Sequence, residues 1–161
     1  MSDSAQDQSA AQGRRERAYE RGVPRPSTDA RANNMRAIKR TGTQPELRLR
    51  RALHASGLRY RVDMRLVLSR KAVRPDIVFT RQRVAVFVDS CFWHRCPAHG
   101  TLPVSNAEWW EAKLTRNAYR DAEVDRLLVE HGWTVIRAWQ HDATQETVDR
   151  VRDALGSSRA V

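Results

Sequence analysis

The sequence predicts an α/β domain, on three observations: two short, β-branched, almost continuously apolar runs at 75–79 and 84–89, a long helical pattern after them, and a further strand and helix after that. Thr43-Gln44-Pro45-Glu46 has the form of a capping box with proline in the first turn. Leu47, Leu49, Ala52 and Leu53 follow on one helix, which stops near Gly57. Residues 58–62 read as a first strand. The two apolar runs read as strands buried on both faces, joined through the turn Thr80-Arg81-Gln82. Trp110, Leu114, Ala118, Val124 and Leu128 recur at helical intervals over 106–130, and His131-Gly132 supplies the stop. Residues 133–139 form the next strand, and 144–155 a last helix with Thr144 as its cap. The order is α-β-β-β-α-β-α, without an internal repeat.

At 161 residues the chain is long enough for one domain with a real core. No apolar run is long enough to span a membrane, and the first residues lack the apolar stretch of a signal peptide, so the expectation is a soluble, cytoplasmic protein without a membrane partner. There are 29 basic and 19 acidic residues, for a net charge of +10. Such a balance favours a polyanionic partner, nucleic acid first, through counterion release. Only Lys39, Lys71 and Lys113 among the basic residues are lysines, so an arginine-rich genome is an alternative source of the charge. Residues 1–32 are rich in Ser, Gln, Arg, Gly and Pro and poor in large aliphatics, which predicts a disordered tail. Residues 1–40 hold nine basic and five acidic groups, so this arm has the charge to lie along phosphates. The folded domain is expected over 33–156, and 157–161 is expected to be disordered.

Chemistry concentrates at 86–99, Val-Phe-Val-Asp-Ser-Cys-Phe-Trp-His-Arg-Cys-Pro-Ala-His. Asp76 begins one strand and Asp89 ends the next, so antiparallel pairing carries both carboxylates to one point where Mg²⁺ can sit with water and a phosphate oxygen. An aspartate in an apolar strand pair is costly to bury without a role. Glu46 is a third candidate acid, although the capping box alone accounts for a glutamate there. His94 is placed to take a proton from an attacking water or to steer it. Cys91, Cys96 and His99 supply three zinc ligands, with His141 after the last strand as the fourth, which closes a structural site. The reverse assignment, His94 to zinc and His99 to the catalytic centre, stays open. Phe92-Trp93 sits in a polar loop beside basic residues, a pattern suited to insertion between base steps, whereas Trp110 on the apolar stripe suits packing.

These residues resemble a known family, the very-short-patch-repair (Vsr) DNA mismatch endonucleases. The resemblance runs from about Asn34 to Trp139 and is carried by Asn-Met-Arg-Ala-Ile at 34–38, Pro-Glu at 45–46, Arg-Pro-Asp at 74–76, and Cys-Phe-Trp-His at 91–94. Trp110, Lys113, Asn117, Arg120-Asp121, Gly-Trp at 132–133 and Trp139 follow in order. It implies a restriction-endonuclease-like fold, a central mixed sheet flanked by helices, with a structural Zn²⁺. It also implies a Mg²⁺-dependent nick 5′ to the thymine of a T:G mismatch, the product of 5-methylcytosine deamination. By that resemblance Asp76 binds the catalytic metal together with the backbone carbonyl of residue 88, Glu46 lies near it, and His94 lies beside the scissile phosphate. Phe92 and Trp93 intercalate, Trp110 and Met35 support them, and Lys113, Asn117 and Arg120 face DNA. Cys91, Cys96 and His141 match zinc-ligand positions, and His99 completes the set.

The chain also departs from the family. Val88-Asp89 stands where the best-known member has Thr-His. A carbonyl ligand at Val88 survives that change, and Asp89 restores a two-carboxylate centre. No lysine follows Asp89 by two residues as in ordinary restriction-type nucleases. The expected substrate is mismatched double-stranded DNA, met as a monomer because a mismatch lacks two-fold symmetry, with a MutL-like protein as a further partner. The alternatives are a restriction-like endonuclease of other specificity and a non-catalytic zinc-containing DNA-binding module.

Overall fold

The computed structural model describes residues 22–24, 41–69 and 71–157. Met35, nearly all of the 1–32 tail and residues 158–161 lie outside the described residues. The chain divides into two compact units, and the larger, Lys39–Thr101 with Lys113–Val161, holds all the geometry that follows except where stated.

Helix α1 (Gln44–Ala55) follows the extended Thr43 and carries Pro45 in its first turn. The expected capping box is rearranged. Glu46 is 3% exposed and does bend back, but it accepts from the Gly42 N–H (2.8 Å) and the Thr43 hydroxyl (2.8 Å), so the threonine donates to the glutamate and makes no cap bond of its own. The helix ends as predicted. Leu58 N–H donates to Leu53 O and Gly57 N–H to His54 O, the bond pair of a Schellman motif, with Gly57 at φ +79°.

Strands β1 (Arg61–Val62), β2 (Leu66–Leu68), β3 (Lys71–Val73), β4 (Ile77–Phe79) and β5 (Val84–Asp89) come next, then helix α2 (Ala107–Glu130), strand β6 (Thr134–Trp139) and helix α3 (Thr144–Ser157). The main sheet has the order β1-β4-β5-β6. β1 with β4 and β4 with β5 are antiparallel, while β5 and β6 are parallel over six pairs, from Val84↔Thr134 to Asp89↔Trp139. This is a mixed sheet flanked by helices, as expected. The β2–β3 hairpin is additional: two three-residue strands, separated by Ser69 at φ +53° and Arg70, are too short to give a period-two signal. α2 closes on a second Schellman pair, Trp133 N–H to Leu128 O and Gly132 N–H to Val129 O.

Strand alternation splits the core in two. Val84, Val86, Ile77, Phe79 and Ile136 meet Leu49 and Leu53 of α1 and Val148, Val151 and Leu155 of α3. Ala85 and Val78 face the other way, onto Leu66, Leu68 and Val73 of the hairpin and Leu128 of α2. Being buried on both faces explains why β4 and β5 are so apolar. Among the described residues no helix is long and apolar enough to cross a membrane.

Leu53 has no accessible surface and anchors α1 to the sheet. Leu53→Ala is expected to lower unfolding stability by about 3 kcal/mol, measured as a reduced urea midpoint at unchanged slope.

Candidate metal-binding and catalytic site

β5 stops at Asp89 and the chain turns immediately. His94 N–H donates to Ser90 O (3.2 Å), Arg95 N–H to Phe92 O (3.5 Å) and Cys96 N–H to Cys91 O (2.9 Å). The last two bonds close one helical turn in the Schellman manner, and Arg95 takes the left-handed conformation this requires, φ +53°. The closure stacks Cys91 against Cys96, which is how thiols five residues apart come within reach of one another and of His141. Cys91 Sγ lies 3.1 Å from His141 Nδ1, and Cys96 Sγ lies 3.8 Å from His99 Nδ1 and 4.0 Å from His141 Nδ1. The four ligand atoms of Cys91, Cys96, His99 and His141 all fall within 4.8 Å of one another. Tetrahedral zinc with thiolate and imidazole ligands has ligand–ligand edges of roughly 3.5 Å, so the donor set and spacing fit a closed zinc site. The gathered histidine is His99, and His94 points elsewhere. Burial and the neighbouring Cys96 push the Cys91 thiol up, so a bound cation is what would favour its thiolate. Gly100 closes the loop with its N–H on Cys96 O (2.7 Å), and a Cβ there would sit 2.6 Å from that oxygen.

At the start of β4, Asp76 Oδ2 accepts the Val88 N–H at 2.7 Å. Arg50 of α1 reaches across to donate to Asp76 O (3.1 Å) and to Glu46 Oε2 (3.1 Å). Asp76 is raised to about 6: burial is the largest cause, Glu46 and Asp89 add to it, and the Val88 bond and Arg50 oppose it. A half-buried carboxylate with anionic neighbours suits an oxygen-ligated divalent cation.

Asp89 is 4% exposed, and both of its oxygens accept from Arg137 Nη1 (2.9 and 2.8 Å). Sequence reasoning paired it with Asp76 around one cation and did not name Arg137, the partner supplied by β6. The same guanidinium donates through Nε to both oxygens of Asp125 (3.1 and 2.8 Å) and through Nη2 to Asp121 O (3.4 Å). Burial disfavours its charge, yet Asp125 and Asp89 outweigh that and hold Arg137 above its ordinary value. His94 Nδ1 lies 2.6 Å from Asp121 Oδ2 and 3.5 Å from Asp89 Oδ1. Burial works to raise Asp121, but the hydrogen bond with His94, with Arg137 and Arg120 as nearby cations, holds its carboxyl below the usual range. With Nδ1 committed to a carboxylate, Nε2 is the ring atom left for proton transfer.

A sequence model of the family described as DNA mismatch endonuclease Vsr matches residues 26–98. The Type II nicking enzyme V.NaeI of Lentzea aerocolonigenes is 46% identical over 151 residues, 92% of this chain and 91% of that protein. The Type II nicking enzyme V.NmeDIP of Neisseria meningitidis serogroup C is 37% identical over 138 residues, 83% and 90% of the two chains. The DNA mismatch endonuclease Vsr of Escherichia coli (strain K12) is 34% identical over 111 residues, 68% and 69%. The chain belongs to the Vsr endonuclease family.

The Cys91-Phe92-Trp93-His94 segment meets one face of α2. Phe92 and Trp93 are half-buried, edge to face at 5.0 Å. Lys113 Nζ lies 5.8 Å from the Trp93 ring centroid, and Asn117 Nδ2 donates to Trp93 O (3.2 Å). Lys113, Asn117, Asp121 and Asp125 follow at intervals of four, one polar stripe that touches in turn the Trp93 ring, its carbonyl, His94 and Arg137. That stripe was the readable signal for Asp121 and Asp125, which sequence reasoning did not place in the site. Arg120 is exposed on α2. Trp110 belongs to the smaller unit, edge to face with Trp109 at 4.8 Å.

Two outcomes follow from this geometry. The raised Asp76 means that the native state binds this proton more tightly than the unfolded chain, so stability falls as pH rises from about 4 to about 6 and stays reduced above. Without added divalent cation, Asp76→Asn should therefore be more stable than the parent at pH 7.5, by on the order of 2 kcal/mol. That advantage should vanish below pH 4, as thermal melts at both pH values will show. Gly100→Ala should weaken zinc retention at least tenfold in chelator competition, because its Cβ collides with the Cys96 carbonyl.

Proposed function

We propose that this chain is a DNA mismatch endonuclease that nicks duplex DNA 5′ to the thymine of a T:G mismatch. The observation that carries it is the convergence, at the end of one strand, of a carboxylate at a cation seat, a carboxylate-oriented histidine and an aromatic pair. Family membership and relatives named as nicking and mismatch enzymes support it.

Asp76 and the Val88 carbonyl would hold Mg²⁺, with Glu46 close by. When bound, the metal supplies charge neutralisation at phosphorus and lowers the pKa of a coordinated water. His94, with Nδ1 fixed by Asp121, takes the proton of the attacking water at Nε2. The water oxygen joins phosphorus, one ester P–O bond breaks, and the departing oxygen takes a proton from solvent, to which His94 returns the one it accepted. Asp89 serves from behind, bound by Arg137 and facing His94. Zn²⁺ held by Cys91, Cys96, His99 and His141 is structural, since four protein ligands leave no open position.

Phe92 and Trp93 are the wedge. Unstacking a base step costs a few kcal/mol, and least where pairing is already defective, so insertion prefers a mismatch before any base is read. Lys113 and Asn117 brace the wedge from α2, and Arg120 contributes charge toward the backbone. Met35 and Trp110 belong with the wedge on the resemblance alone. A mismatch has no two-fold axis, so the enzyme acts as a monomer, in the cytoplasm where the chromosome lies, with a MutL-like protein as a candidate partner.

The test is a Mg²⁺-supported nicking assay on duplexes differing only in a central T:G or T:A pair, with wild type and Asp76→Ala. A nick beside the mismatched thymine is expected, falling at least 10³-fold in the variant while DNA affinity stays within a few-fold. Equal nicking of both duplexes would keep the nuclease and remove the mismatch preference. Tight binding with no product under Mg²⁺ or Mn²⁺ would leave a DNA-binding zinc module.

A further inference from the structure

Arg137 sits among Asp89, Asp121 and Asp125, and its fork is used on three sides. Nη1 spans both oxygens of Asp89, Nε spans both oxygens of Asp125, and Nη2 reaches the Asp121 carbonyl oxygen at 3.4 Å and its Oδ1 at 3.8 Å. The guanidinium carbon lies 4.7 Å from the Phe87 ring centroid, which fixes its plane. The two carboxylates that His94 Nδ1 faces, Asp121 at 2.6 Å and Asp89 at 3.5 Å, are both held by this group.

We propose that Arg137 is a positioning residue that locks Asp89 and Asp121 so that His94 is presented through Nε2, and that keeps Asp89 out of the cation's coordination shell. This rests on the nuclease assignment above. Asp125 braces the arginine from the outer, more exposed side, its side chain 34% accessible. A buried ion network of this kind adds little net stability over apolar residues of similar volume, so its value lies in the geometry it imposes. Lysine cannot replace it, because a point charge does not make two bidentate contacts in one plane.

The test compares wild type with Arg137→Lys and Asp125→Asn. Asp125→Asn is the milder change and keeps the test open should the lysine variant fold poorly. Two readouts are needed. Single-turnover nicking should fall 10- to 100-fold in both variants with KM for DNA within twofold, the pattern of misplaced catalytic geometry and not of weakened binding. Long-range ¹⁵N–¹H correlation on the free protein should place the neutral His94 proton on Nδ1 in wild type and show a tautomer mixture in both variants. Wild-type rates together with an unchanged tautomer would overturn the proposal. So would a loss of rate that only follows a lowered melting temperature. Should wild type nick no duplex, the nuclease assignment fails, and the tautomer in the free protein still decides whether Arg137 holds His94.

Discussion

The parallel ladder between β5 and β6 carries the site. Six residue pairs run in register and end with Asp89 beside Trp139, and Gln140 N–H extends the pairing by donating to Asp89 O at 2.8 Å. Both strands therefore release their chains at the same edge: Ser90 to Cys96 from one, Gln140 and His141 from the other. Open α/β sheets commonly place their chemistry at the carboxyl ends of parallel strands. The register also sets the ion network, because Arg137 stands opposite Phe87 and reaches Asp89 on the same face two residues on. A slip of one residue would turn Arg137 to the opposite face and leave Asp89 buried without a counter-charge.

The electrostatics divide into two regions with opposite logic. Around Asp76, negative charge is incompletely offset, since Arg50 spreads itself between the Asp76 carbonyl and Glu46, and its buried Nε has no hydrogen-bond partner among the described residues. Around Asp89, the arginine is shared among three acids and the charge is locked into directed hydrogen bonds. In the proposed function the first region is the one that receives a cation from solution. The second carries its own, so two carboxylates that look equivalent in the sequence are given different work.

Much of this was legible before the structure. Apolar runs and stop signals located α1, β4, β5, α2, β6 and α3 within a few residues, because each is long or buried enough to impose its period, and Gly57 and Gly132 mark helix ends where only a left-handed residue fits. The β2–β3 hairpin was not legible, its strands being three residues each. In the site, residue type and spacing named Asp76 and His94 and brought Cys91, Cys96 and His141 together, while His99 rather than His94 as the histidine gathered with them came from the fold. Arg137 was missed because an arginine in a strand that reads as apolar looks like an exposed edge position, and its partners lie 12 and 48 residues away. Only the sheet register joins them.

The single turn over Ser90–Cys96 binds two histories into one. Cys91 and Cys96 face each other through the turn closure, Phe92 and Trp93 form its outer corner, and His94 precedes the left-handed Arg95 that ends it. An insertion or deletion anywhere in these seven residues shifts Phe92-Trp93, His94 and the two cysteines together, so no one of them can drift in length alone. Beyond Cys96 the chain is clamped once more by Gly100 and then released. Length variation in relatives of this protein should therefore gather after residue 100, leaving the turn itself a fixed-length cassette that evolves by substitution.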